Sequence, residues 1–410
     1  MRLLLALLLM PIGCACCTWA IVPWAAFENL PMTPTVVTLP TTVPAGKEAP
    51  PTPTAGNGVA VPEEVPPPSL FSVAWDQRAV FEAELIAAEE DALRLRPGAS
   101  VYHLDLNLAD DLTRLTGRQE VHYTNTESVP LTEVYFRLFP NIAGGETNVT
   151  AVTLNGAPVQ PRYALENSAL IVPLGRALAP GESVVIGLDY TVTVPTWPGG
   201  NYGTFALLDE VLALAHFYPL IPAYDDEGWN AEMAPSIGDV VYADTSYYWV
   251  RLEAPAALVV VTSGRELERV EQGDRRVYTF IAGPVRDFYL VASPRFAVSS
   301  TTVGETDVHS WAFPERTEAA TLALEQAATA LAIYNRRFGP YPYTELDIVA
   351  TPTLAGGVEY PGVIVVAASV YENPSDPFFE HVVAHEVAHQ WFYGVVGNDQ
   401  VDEPWLDESL

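Results

Sequence analysis

The spacing of apolar and polar positions changes several times along the chain, and each change predicts a different kind of element. Residues Leu3 to Phe27 carry no charge and follow Met1-Arg2. That pattern suits a leader or anchor over 1–29. From 30 to 70 the periodicity vanishes while proline recurs, at Pro31, Pro34, Pro40, Pro44, Pro50, Pro51, Pro53, Pro62 and Pro66-Pro67-Pro68. Such a stretch reads as a semi-extended tether. Within 71–99, Val80, Phe81, Leu85, Ile86, Ala88 and Leu93 lie among acidic residues and predict a helical lead-in between Trp75 and Arg96. Over 100–300 the period becomes two, as in Tyr102-His103-Leu104-Asp105-Leu106 and Glu120-Val121-His122-Tyr123, with turn pairs at Asn155-Gly156, Pro180-Gly181 and Gly199-Gly200. Many short strands spaced in this way predict an antiparallel β-sandwich or saddle-shaped domain.

After Pro314 the pattern alternates between helix and strand. Thr317 is placed to cap a helix through Leu322, Leu324, Ala327, Leu331 and Tyr334 that Gly339-Pro340 would end, and strands are expected at Leu346–Thr351 and Val363–Ala367. Asp376-Pro377 then opens a further helix, a capping residue followed by proline at the first helical position. Phe378, Phe379, Val383, Ala384, Val387, Ala388 and Trp391 would bury that helix, and Gly394 suits its end. The whole is expected to be α+β and multidomain, with the β-rich domain at 100–300 and an α/β domain at 301–410.

That last helix carries the candidate chemistry. In His385-Glu386-Val387-Ala388-His389 the two histidines are i and i+4 neighbours, so both rings can reach one metal ion, while Glu386 lies about 100° round the helix and can touch a water beside it. Glu408, after eighteen intervening residues, can supply a third ligand. Two imidazoles and one carboxylate leave a coordination position open, which distinguishes a catalytic Zn2+ site from a closed structural one. His381 lies about 12 Å along the axis from His389 and is too far to share the same ion. His103, His122, His216 and His309 are read as surface or satisfied core residues, and none is assigned to the metal. Asp407 is as readily a helix-surface residue as a partner for a ligand histidine.

Composition narrows the field. A formal charge of −31, with 20 Lys and Arg against 51 Asp and Glu, excludes a nucleic-acid-binding role that depends on clustered cations. All three cysteines, Cys14, Cys16 and Cys17, fall in the leader, so the body has no disulfide. Gly13-Cys14 resembles the end of a bacterial lipoprotein signal, and the uncharged run is also long enough to span a bilayer of about 30 Å. Either reading exports the body and tethers it to a membrane at its N-terminus.

Taken together, these motifs resemble the gluzincin aminopeptidases, the family of membrane alanyl aminopeptidase and the leukotriene hydrolases, from about Ser100 onward. The resemblance rests on Gly356-Gly357-Val358-Glu359-Tyr360, similar to the family's Gly-x-Met-Glu-Asn signature, on His385 to Trp391, and on Trp405-Leu406-Asp407-Glu408. Val358, Tyr360 and Ser409 depart from the family's usual Met, Asn and Gly. The resemblance implies a thermolysin-like catalytic domain with one Zn2+ held by His385, His389 and Glu408, and with Glu386 as general base. It also implies that Gly356, Gly357 and Glu359 bind substrate, Glu359 receiving the free α-ammonium of a peptide whose first bond is cut by zinc-activated water. The family continues past the equivalent of Leu410 and supplies a transition-state tyrosine there, so the chain is read as the N-terminal part of a longer polypeptide. Alternative readings are a zinc endopeptidase, or a non-catalytic extracellular peptide-binding module with a vestigial zinc site.

Overall fold

The computed structural model describes residues 69–233 and 238–409. The leader or anchor at 1–29 and the tether up to residue 68 lie outside those residues. Among the described residues no helix is long and apolar enough to cross a membrane.

The period-two region folds as strands in three sheets. The largest has eight strands, in the order Arg265–Gln272, Arg275–Val285, Ser246–Pro255, Val101–Leu108, Arg114–Thr124, Ser183–Thr193, Glu146–Leu154 and Ala157–Pro158. Alternation explains the one-sided burial. In Arg114–Thr124 the inward Leu115, Val121 and Tyr123 are buried while Arg114, Thr116 and Arg118 face out. Pairing is antiparallel except between Val101–Leu108 and Ser246–Pro255, which run parallel, so the antiparallel expectation needs that one amendment. The long connection between those two strands makes it possible, since parallel neighbours require a crossover. Buried tyrosines help fill the interior, and two of their hydroxyls accept backbone bonds: the Ile221 N–H donates to Tyr102 and the Phe288 N–H to Tyr218.

The lead-in is not one helix. It forms three short 3-10 turns, Leu70–Ser72, Ala79–Glu84 and Glu90–Arg94. Tertiary backbone bonds compete with the helix there, because the Ile86 N–H donates to the Pro342 carbonyl and the Thr344 N–H to that of Glu84. Phe81 and Leu85 still bury, so the apolar spacing reported docking rather than helix.

A five-stranded sheet carries the C-terminal part, in the order Ala297–Val303, Thr306–Ala312, Glu345–Thr351, Val363–Ala367 and Gly357–Tyr360. Its first strand lies across residue 300 and belongs with the strands that follow it. Val363–Ala367 is buried along its whole length beneath helices, as its unbroken apolar sequence requires. Pro361-Gly362 turns the chain between the last two strands, with Gly362 at φ 73° in a conformation that favours glycine. Gly357–Tyr360 is therefore the edge strand, in a stretch to which the sequence pattern assigned no element.

Two helices pack together on this sheet, Thr317–Phe338 and Pro377–Ala388. Thr317 lies inside the first rather than capping it, its hydroxyl donating to the Pro314 carbonyl, and Gly339 at φ 107° ends it. The second starts as expected, with Asp376 Oδ1 accepting from the Phe378 N–H. Phe379, Val382, Val383 and Val387 bury it, whereas Phe378, expected inside, is 51% exposed. Regular helix stops at Ala388, before Gly394, and the chain continues in turns in which the Gly394 N–H donates to the His389 carbonyl.

Candidate active site

The helix Pro377–Ala388 sets two imidazoles side by side. His385 Nε2 and His389 Nε2 face each other at 3.0 Å, and His389 Nδ1 lies 3.0 Å from the Phe392 carbonyl. With its proton on Nδ1, His389 presents an Nε2 lone pair to an ion. The short helix Trp405–Glu408 brings Glu408 Oε2 to 3.3 Å from His385 Nε2, and ligand atoms of the three residues all lie within 4.8 Å of one another. Donors about 2 Å from a tetrahedral zinc ion stand about 3.3 Å apart. The donor set and its spacing therefore fit Zn2+. His381 is exposed and stacks on His385, outside the ligand set.

Glu386 is buried beside the edge strand, with a carboxylate oxygen within 4.8 Å of a His389 ring nitrogen. It is 4% exposed, and its Oε2 has no hydrogen-bond partner. A Cβ on Gly357 would collide with the Glu386 carboxylate, so the second glycine of the pair provides the space that this carboxylate occupies. Gly356 is less constrained, its nearest neighbour being the Phe378 ring. Glu359, two residues along the edge strand from Gly357, is 6% exposed with an unpartnered Oε1. Its carboxylate lies in a second group with Asp239 and Glu408, and in a third with Glu386 and His389. The structure thus gathers Glu359, His385, Glu386, His389 and Glu408 in one place, with Gly357 beneath them.

Two residues that no motif indicated join this group. Asp239 enters from the irregular segment before strand Ser246–Pro255. Gln400 comes from the turns after the zinc-motif helix, and its Nε2 donates to Asp239 Oδ2 at 3.0 Å and to Asp407 Oδ2 at 3.2 Å. Asp407 is buried and held by Gln400 and the Glu408 N–H, so it fixes the Glu408 turn rather than a histidine ring. His216 also lines the space before Glu359, its Nε2 2.6 Å from Asp287, which accepts a hydrogen bond from Tyr393 as well. The other scattered histidines lie apart from the site.

Electrostatics separate the carboxylates. Burial, then Glu386 and Glu408, hold Glu359 well above the ordinary carboxylate range, and burial with Glu408 and Asp239 does the same to Glu386. Asp239 is raised by burial and by Glu359. Glu408 moves the other way, lowered by its hydrogen bond to His385 and by the charge of His389. Among the described residues no Lys or Arg ion-pairs with any of the four. Such crowding of uncompensated carboxylates marks a site for cations.

Residues 322–410 match the Peptidase family M1 domain. Aminopeptidase 2 of Candida albicans is 30% identical over 184 residues, 41% of this chain and 20% of that protein. Aminopeptidase M1-A of Oryza sativa subsp. japonica is 25% identical over 361 residues, 80% of this chain and 39% of that protein. The chain thus spans less than half the length of either curated relative. An M1 zinc metallopeptidase from Deinococcus radiodurans has a similar fold, with a TM-score of 0.51 at 22% identity over 75% of this chain and 67% of that one.

Proposed function

From the premise that this chain is a relative of the gluzincin aminopeptidases of family M1, we propose that it forms the catalytic part of a zinc aminopeptidase. The observation that carries the reading is the meeting of two imidazoles and Glu408 at metal-ligand spacing with two buried carboxylates, Glu386 and Glu359, that have unpartnered oxygens. His385, His389 and Glu408 hold one zinc ion. When bound there, zinc polarises a carbonyl and brings the pKa of a water down to about 7. Glu386 accepts a proton at its free oxygen and returns it to the leaving amine. Glu359 receives the α-ammonium, and that contact selects the first peptide bond by position rather than by sequence. Gly357–Tyr360, at the sheet edge, offers backbone groups to an extended peptide. One of the similar Deinococcus radiodurans structures is described as bound to a Tyr-Ser-Ala substrate, which supports peptides as the substrate class.

Glu386→Gln tests the role of the base. Loss of hydrolysis with zinc still bound is expected, and full activity in that variant would contradict the mechanism. Zinc retained without turnover in the wild type, together with measurable peptide affinity, would favour a binding module. We also place the protein outside the cytoplasm on a membrane tether, on the strength of the uncharged run Leu3 to Phe27. Fractionation of native cells would contradict this if the protein were found in the cytosol.

A further inference from the structure

We infer that Arg286 is a positioning residue for the metal site: from the β-rich part it clamps the turn after the zinc-motif helix, and through that turn it holds His389 in the orientation that binds the ion. This rests on the zinc reading of the site and deepens it by adding a residue that touches neither the metal nor the substrate.

The clamp is built around Phe392 and Tyr393. His389 Nδ1 donates to the Phe392 carbonyl at 3.0 Å, so the place of that carbonyl decides which ring nitrogen is left for the ion. The next carbonyl, that of Tyr393, accepts from Arg286 Nε at 2.8 Å, and Arg286 Nη1 donates to the Ala243 carbonyl at 3.1 Å. Tyr393 is buried, and its hydroxyl donates to Asp287 Oδ2. Two adjacent residues of the β-rich part thus grip both its main chain and its side chain. The φ of Tyr393 is 128°, where a residue with a Cβ is strained, and such a turn persists only while its surroundings enforce it. Gly397 supplies an independent sign of the clamp. A Cβ there would fall 0.8 Å from Arg286 Nη2, although the φ of Gly397 is not positive and its backbone does not itself call for glycine. The tip of an arginine usually moves aside at little cost. This one would have to surrender two charge-assisted bonds to do so.

The test is a zinc titration of the full polypeptide against a chelator of known affinity, which reads the metal rather than turnover. Arg286→Met keeps the reach of the side chain without its donors and is expected to raise the zinc Kd about 10–100-fold, the usual cost of losing a group that orients a ligand histidine. Gly397→Ala should weaken zinc binding on the same scale by displacing the guanidinium. Because both changes act through one group, the double variant should bind no more weakly than the worse single variant. A merely structural role would lower the melting temperature of the chelated protein and leave Kd alone. That result in Arg286→Met would overturn the inference, as would full additivity in the double variant. Should Arg286→Met fail to fold, Gly397→Ala decides, with weakened zinc supporting the clamp and unchanged affinity overturning it. A wild type that binds no zinc would overturn the metal reading itself, whereas tight binding that neither substitution alters would overturn only the role of Arg286.

Discussion

Two of the places where buried polar atoms lack partners, one in the eight-stranded sheet and one beside the zinc-motif helix, behave differently. In the eight-stranded sheet His103 is fully buried with neither ring nitrogen bonded, stacked against Trp75 at 4.1 Å between centroids. Burial settles the matter there by keeping the ring neutral, its pKa pushed down to about 4. Beside the zinc-motif helix Glu359 and Glu386 also have orphaned oxygens, yet each lies among further carboxylates and beside the His389 imidazole. Neutralising one group does not relieve that cluster. An isolated buried orphan indicates local packing, whereas several that converge with the same unmet charge indicate a ligand.

The comparison is tested most severely by activity. Glu386→Gln should lower hydrolysis by about 10²–10⁴-fold with zinc retained, while His103→Phe should leave turnover near wild type; steady-state kinetics with metal analysis would separate them. Gly357→Ala should be the next largest, about 100-fold, because a Cβ there displaces the Glu386 carboxylate. Its zinc content should stay normal, which the same analysis checks.

Stability against pH gives smaller effects of opposite sign. Glu359 and Glu386 are raised above 4.5, so in chelated protein their contribution is complete below that value and is lost as pH rises through the folded values. Glu359→Gln should accordingly stabilise the chelated protein at pH 8 by about 1–3 kcal/mol, read by denaturant titration. His103 is lowered from 6.5 to about 4, so its contribution is complete above 6.5 and is lost as pH falls towards 4. Thermal melts of His103→Phe should lose that part of the acid-side decline, and retention of the whole slope would show that His103 is not its source.

The sequence made some parts of the site legible because local geometry fixes them. Helical periodicity alone places His385 and His389 on one face, and the capping pair Asp376-Pro377 marks where that helix begins. The alternation in Arg114–Thr124 likewise maps onto burial residue by residue. Where tertiary contacts choose the backbone, the pattern failed. The apolar residues of the lead-in bury as expected, but backbone bonds to Pro342 and Thr344 draw the chain away from a continuous helix. The stretch Gly357–Tyr360 becomes a strand only because Val363–Ala367 offers it a partner. Asp239 and Gln400 were silent for the same reason, since both lie in irregular chain without period or motif and acquire meaning only where separate parts of the chain meet.

The most direct test is to incubate the zinc-loaded full polypeptide with one peptide carrying a free N-terminus and the same peptide N-acetylated, and to identify the products by mass spectrometry. The account predicts release of the first residue from the free peptide and almost none from the acetylated one. Equal cleavage of the two, or cleavage at internal bonds, would contradict it.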